Sequence, residues 1–302
     1  MVDEEFIRKQ VMTFDNWLFS FFQTMQTISL TPYHKLDKTQ DTIYHYTSEL
    51  GFQGIMDSKY FYASHYKYLN DNQELQNVNR ILIKELAKYP KKYRTFISKP
   101  DELFRDSDYF ITSFALLGDS LNHWRYYTKG NGISIGFNRH RLLDIIKTFP
   151  LPTTFGFCVY DDKLKSEILN KILGDIYGFY NESVQSLTMV DETLSLLKKR
   201  FDGILSILGC MSKHKGFEDE REFRIIITVP KQWNLSIQKR LGQFGQTPYV
   251  SFPFQNSDGK FIVDEIFIGP NNKTKIKTIK TYLRKKSVKV LNIRNSKLPY
   301  RE

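Results

Sequence analysis

The stretch Glu222-Phe223-Arg224-Ile225-Ile226-Ile227-Thr228-Val229, closed by Pro230, decides the fold. Its β-branched and aromatic content predicts a strand. Its position carries the argument, because it follows a long segment, Lys163 to Cys210, whose apolar residues recur at helical spacing without any strand signal. Strand pattern also lies upstream, at Ile43 to Tyr46, Tyr60 to Ser64, Tyr109 to Phe114, Gly132 to Phe137 and Phe155 to Tyr160. Downstream it returns at Tyr249 to Phe252, Phe261 to Ile268 and Val288 to Ile293. The reading is an α+β domain of short strands spanning residues 43–302, with a helical insertion at about 163–210. Residues 1–42 read as an N-terminal helical segment, its apolar positions including Phe6, Ile7, Val11, Phe14, Trp17 and Leu18.

Other local signals fill in the helices. Ser48 is a ready N-cap for a helix over Glu49 to Asp57, and Asn70-Asp71-Asn72 for a longer one reaching about Tyr89. A short helix is expected at about Asp119 to Tyr126, where Trp124 and Tyr127, three apart, present one surface. The segment from Lys273 to Lys285 has a basic face at helical spacing.

Composition narrows the function classes. Aromatics reach 15%, which excludes a disordered or collagen-like chain. Two cysteines, Cys158 and Cys210, are too few for a disulfide scaffold and read as reduced core thiols of a cytoplasmic protein. No secretory leader or long apolar run is visible, so no membrane partner is expected. The net charge of +11 favours a polyanion such as RNA or DNA, with Lys91, Lys92 and Arg94 and the run from Lys273 to Lys289 as the contact candidates. P-loop, dinucleotide, zinc-protease, calcium and nucleophile-elbow patterns are missing, and no metal is expected.

Two short segments carry residues suited to chemistry. In Tyr44-His45-Tyr46-Thr47 a strand places His45 and Thr47 on one face, where they can hold a ribose and the amide of a ring cofactor. Tyr62, Tyr66 or Tyr68 would supply the stacking surface. In Glu218-Asp219-Glu220-Arg221-Glu222-Phe223-Arg224, residues Glu220, Glu222 and Arg224 fall on one face. A glutamate held there at a cleft edge can stabilise positive charge or orient a hydroxyl, and Arg224 can pair with it or meet a phosphate.

In their order along the chain, these motifs resemble the bacterial family catalogued as domain of unknown function 2971. The matching pieces are Tyr44-His45-Tyr46-Thr47, Tyr60-Phe61-Tyr62-Ala63-Ser64, Asn70-Asp71 with Glu74, Thr112-Ser113-Phe114, Trp124 with Tyr127, Gly132 with Gly136-Phe137, Glu220-Arg221-Glu222-Phe223-Arg224 and Asp264-Glu265-Ile266-Phe267-Ile268-Gly269-Pro270. A more distant resemblance is to the nucleic-acid-modifying ADP-ribosyltransferases with a histidine, tyrosine and glutamate signature. It implies a split mixed-sheet core that clasps NAD as cosubstrate, and transfer of ADP-ribose to nucleic acid in phage defence or as a toxin. By this resemblance His45 contacts the nicotinamide ribose, Tyr62 or Tyr66 takes the aromatic place and Glu222 is the catalytic glutamate. Glu220 and Glu265 compete with Glu222, Thr47 and Arg224 join the cofactor contacts, and Trp124 is a further candidate. A noncatalytic nucleic-acid-binding or protein-interaction module, with an antitoxin or defence-system partner, is the alternative.

Overall fold

The computed structural model describes residues 41–69, 73–97, 99, 102–185, 191–242, 245–255 and 261–300. The expected N-terminal helix and the Asn70-Asp71-Asn72 cap lie outside them. In chain order the elements are β1 (Thr42–Ser48), α1 (Glu49–Ser58), β2 (Tyr60–His65), α2 (Gln73–Leu86), α3 (Lys91–Phe96), β3 (Ser107–Ala115), β4 (Gly132–Asn138), α4 (Arg139–Thr148) and β5 (Thr153–Phe157). There follow α5 (Asp162–Gln185), α6 (Asp191–Met211), β6 (Glu222–Pro230), β7 (Gln238–Gly242), β8 (Gly245–Pro253), β9 (Phe261–Ile268), α7 (Ile276–Lys285) and β10 (Val288–Asn295).

The strands form one ten-stranded mixed sheet in the order β10-β9-β4-β1-β3-β2-β8-β7, with β6 beside β3 and β5 outside β6. Among the described strands only the β9–β10 pair is parallel. Strand β6 pairs with β3 from Ser107↔Pro230 to Ala115↔Glu222, so the chain returns to the sheet directly after the α5–α6 insertion. That pairing occupies one edge of β3. Its other edge takes β1 at Tyr44↔Ala115 and β2 at Ser64↔Ile111 and His65↔Phe110. Strands β1 and β2, joined by α1, therefore diverge from one strand and leave a fork between them.

Alternation along β6 sorts its side chains onto two faces. Phe223, Ile225 and Ile227 enter the larger core with Phe61, Phe114 and Phe137, which α1, α4 and α7 close through Phe52 and Met56, Leu142 and Ile145, and Ile279 and Leu283. Ile226 points the other way, to Ile111, Cys210 and Met211 at the end of α6. The insertion has its own apolar contacts, in which Ile172, Leu173 and Ile176 of α5 meet Leu82 of α2, Tyr93 of α3 and Leu205 of α6.

Local chemistry sets several boundaries as expected. Ser48 Oγ accepts the Gly51 N–H at 3.1 Å and starts α1, and Lys59, at φ +66°, ends it. The expected 119–126 helix is different. It is a single turn, Leu121–His123, that passes into a π-helical turn, Trp124–Thr128, closed by the Lys129 N–H on the Trp124 carbonyl. The wider turn separates Trp124 from Tyr127. Trp124 is fully buried while Tyr127 is 44% exposed, and the ring that Tyr127 joins is that of His123, four residues back. Elements α3, α4 and β7 carry no sequence expectation and are additions.

Phe61 sits at the base of the fork, edge-on to Phe114 at 5.2 Å and Phe137 at 5.0 Å. Phe61→Ala is expected to cost about 3–5 kcal/mol, read as a lower urea midpoint with an unchanged slope.

Candidate functional site

The β3–β6 register places Glu222 opposite Ala115 and Arg224 opposite Ser113, on the face away from the phenylalanine core. A cavity of about 110 Å³ opens beside Glu222, its lining including Phe114 of that core and His45, whose ring is edge-on to Phe61 and Phe114. Tyr44, His45 and Tyr46 of β1 line one part of it, Ser113 to Ala115 of β3 another, and His123, Tyr127, Glu220 and Glu222 the remainder.

Glu222 is held from every side. Its N–H donates to Tyr160 Oη at 2.9 Å and its carbonyl accepts the Cys158 N–H at 2.9 Å. Arg224 Nε donates to Oε1 at 2.8 Å and Arg224 Nη2 to Oε2 at 3.1 Å, a two-pronged contact between buried groups. Lys213 Nζ stands 2.9 Å from the same Oε2. Burial opposes ionisation of this carboxyl, but Arg224 and Lys213 outweigh it and hold the group well below the usual carboxylate range.

Lys213 comes from the insertion. Ser212 bridges Val159 just past α6, and the Lys213 N–H donates to the Val159 carbonyl at 3.0 Å. Its ammonium donates to Glu220 Oε2 at 2.7 Å. Burial alone would favour the neutral amine; the two glutamates reverse this and raise its pKa. Glu220 ends a 3₁₀ turn, Lys215–Glu220, just ahead of the strand, and Arg221 between the two glutamates is at φ +44°. Tyr127 Oη also donates to Glu220 Oε2, at 2.9 Å. Glu220, Glu222, Lys213 and Arg224 sum to zero charge.

Two histidines complete the lining, and their tautomers follow from their partners. His45 Nδ1 is 3.0 Å from the Ser113 carbonyl, which only accepts, so Nδ1 carries the proton. His123 Nε2 is 3.1 Å from the Glu220 carbonyl, so there Nε2 carries it. Burial lowers both pKa values and keeps both rings neutral near pH 7. His123 is 3% exposed and stacks on Tyr46, with centroids 4.9 Å apart, and on Tyr127, at 5.9 Å. Its Nδ1 is buried without a hydrogen-bond partner.

The structure thus brings His45, Glu220 and Glu222 to one cavity, with Arg224 behind Glu222. The other sequence candidates do not line it. Thr47, next along β1, pairs with Ile133. Tyr62 is 41% exposed on β2, its ring 4.3 Å from that of Tyr249 and under Arg240. Tyr66 is buried, stacked on Phe104 at 4.7 Å. Trp124 Nε1 donates to Asp119 at 2.7 Å. Glu265 accepts from Tyr44 Oη at 2.9 Å and from Arg294 Nε, and so stands behind Tyr44. Sequence reasoning missed Lys213 and His123. The pairing of His123 with the Glu220 segment has no local signature; for Lys213, a lysine just past an apolar helix and ahead of an acidic run was the available signal.

Among the described residues, no group of three or more His, Cys, Asp or Glu side chains is arranged to hold a metal ion. No described helix is long and apolar enough to cross a membrane. The family model described as "Protein of unknown function (DUF2971)" matches residues 123–225, a span that runs from His123 through Lys213, Glu220 and Glu222 to just past Arg224. No curated protein and no solved structure matches the chain.

Lys213→Met leaves the buried Glu222 with Arg224 as its one cation and takes the ammonium from half-buried Glu220, and is expected to cost about 3–5 kcal/mol at pH 7 in urea unfolding. The wild type should show a defined pH profile. His45, His65 and His123 have pKa values lowered by burial, so below about pH 6.5 the unfolded chain binds protons that the fold does not. Stability is therefore flat just above pH 6.5 and falls below it. The depressed Glu222 adds a second loss as pH drops below about 4.5 towards its folded value. Urea titrations between pH 8 and about pH 2 check both slopes.

Proposed function

We propose that the protein is an NAD-dependent ADP-ribosyltransferase acting on nucleic acid, with the cavity receiving the nicotinamide end of NAD. The observation that carries this is the meeting of His45 with the Glu220–Glu222 pair around one ring-sized space walled by Tyr44, Tyr46 and Tyr127. A space of about 110 Å³ suits a single ring and leaves the rest of a dinucleotide to extend outside. In this reading the fork between β1 and β2 in the single sheet takes the place of the split between two sheets.

In this reading the nicotinamide–ribose C–N bond breaks with its electron pair leaving on nicotinamide, and positive charge develops on the ribose. A fixed carboxylate beside that charge lowers the barrier, because its orientation is set before the reaction. Glu220 takes that part. Both oxygens of Glu222 are already engaged by Arg224 and Lys213, so Glu222 anchors the cluster and holds Lys213, which in turn positions Glu220. His45, with Nδ1 donating to Ser113, offers Nε2 as acceptor to a ribose hydroxyl. A base amine or a hydroxyl of RNA or DNA then forms the new bond to the ribose carbon and loses its proton. The exposed Lys273, Lys275, Lys277, Lys280, Arg284 and Lys285 on and beside α7, and Lys91, Lys92 and Arg94 on α3, are the surfaces for phosphate. The setting, by the resemblance already described, is phage defence or a toxin in the cytoplasm.

The charge balance of the cluster favours a second reading, a noncatalytic nucleic-acid-binding module in which the buried ion pairs are structural.

Incubation with labelled NAD and RNA, DNA or protein acceptors separates the two. Glu220→Gln is expected to keep the fold and NAD binding while lowering transfer about 100-fold or more. Salt-sensitive nucleic-acid binding that weakens when Lys277, Lys280 and Arg284 are neutralised supports the acceptor class. Wild-type protein that neither binds nor consumes NAD overturns the enzyme and leaves the binding module.

A further inference from the structure

One polar atom of a lining residue remains without a partner. The His123 ring is buried between Tyr46 and Tyr127, its Nε2–H is committed to the Glu220 carbonyl, and its Nδ1 is buried with nothing to accept from. The tautomer fixes the sense of this deficit: Nδ1 is a lone-pair acceptor. Leaving such an atom buried and unpaired costs about 1–3 kcal/mol, recovered when a ligand brings a donor. The neighbouring charges do not supply one, since the Lys213 ammonium is held by Glu220 and Glu222 and the Tyr127 hydroxyl by Glu220.

We propose that His123 is a specificity-determining residue: its Nδ1 accepts from the N–H donor of a ring carboxamide, so the cavity takes a ring carboxamide and rejects the corresponding ring carboxylate. This rests on the nicotinamide reading and names the group by which that ring is chosen. A carboxamide presents its NH₂ to Nδ1. A carboxylate has no donor, and it brings a negative charge towards Glu220 and Glu222 and a lone pair towards Nδ1. Burial supports this by keeping the imidazole neutral, because a protonated ring would turn Nδ1 into a donor and reverse the preference. The preference is therefore set by one atom.

The test is calorimetric titration of the full chain with four probes: nicotinamide, nicotinate, benzamide and benzoate. Wild-type protein should bind each amide at least about tenfold more tightly than its acid, tenfold being about 1.4 kcal/mol. His123→Phe keeps a flat ring between Tyr46 and Tyr127 but removes the acceptor. It should bind both amides about tenfold more weakly and lose the preference. His123→Asn returns an acceptor oxygen near the Nδ1 position and should regain part of it, with thermal melts confirming that both variants fold. Equal binding of amide and acid by the wild type, or an amide preference that survives in His123→Phe, overturns the proposal. NAD consumption measured in parallel separates the two readings. Turnover without amide preference sinks this inference alone, and amide preference without turnover supports it while sinking the enzyme. Neither amide binding nor turnover sinks both.

Discussion

The register between β3 and β6 is the constraint on which the site depends. Side chains alternate across a strand, so a slip of one residue would send Glu222 and Arg224 into the core around Phe61 and Phe114 and turn Phe223, Ile225 and Ile227 outward. Two buried charges in that core would cost far more than any turn or cap recovers. The apolar pattern of β6 thus enforces the position of the polar pair: three large side chains on one face leave the alternate positions 222 and 224 only the other. The ladder also extends along the whole of β3, from Ser107↔Pro230 to Ala115↔Glu222, so the register is fixed at many points rather than at one. The opposite edge of β3 is free to take β1 and β2 at separate levels, which creates the fork.

The insertion contributes to the site as well as to bulk. Helices α5 and α6 bury their own apolar surface against α2 and α3, and that packing delivers Lys213, just beyond α6, to a fixed point beside β6. The Glu222 carboxylate and the Lys213 ammonium are each too costly to bury alone and are tolerated because each is the other's partner. The cluster couples three parts of the chain: the end of the insertion, the start of β6 and, through Tyr127 and His123, the π-helical turn. A wider turn there keeps His123 and Tyr127 stacked while directing Trp124 inward to Tyr46 and Asp119.

Much of the scaffold was legible because it rests on local pattern. The Ile225-Ile226-Ile227 run, the helical spacing from Lys163 to Cys210 and the Ser48 cap each act over a few residues, and the α+β class with its helical insertion follows from them. Helix α4 was missed since Arg139-His140-Arg141 opens it with a polar turn, and β7 since Gln238 to Gly242 is exposed and nearly without apolar signal. The site was legible in part. His45, Glu220 and Glu222 were named from residue type, and all three line the cavity. Tyr62 and Tyr66 were named from aromatic character alone, which does not distinguish a ring stacked on Tyr249 at the surface from one buried on Phe104. Lys213 and His123 acquire their meaning from contacts made when the chain reverses, and no spacing rule encodes those.

Rigidity also bears on which glutamate faces the chemistry. A residue in a loop ordinarily costs entropy to position, and on sequence grounds that argues for Glu222, at the start of a strand. Here the loop residue is pinned as firmly as the strand residue. The Glu220 carboxylate accepts from Lys213 and Tyr127, and its carbonyl accepts from His123, so three side chains, two of them from a distant segment, fix its two ends. The difference between the glutamates then lies in their electrostatics. Glu222 meets a guanidinium in a two-pronged pair and an ammonium besides, and a carboxylate so compensated exerts little field on a newly formed cation. Glu220 shares one ammonium and one neutral hydroxyl, both on the same oxygen, and keeps more of its charge for the cavity. Tertiary contacts have supplied the order that the sheet gives Glu222, without the neutralisation that comes with Arg224.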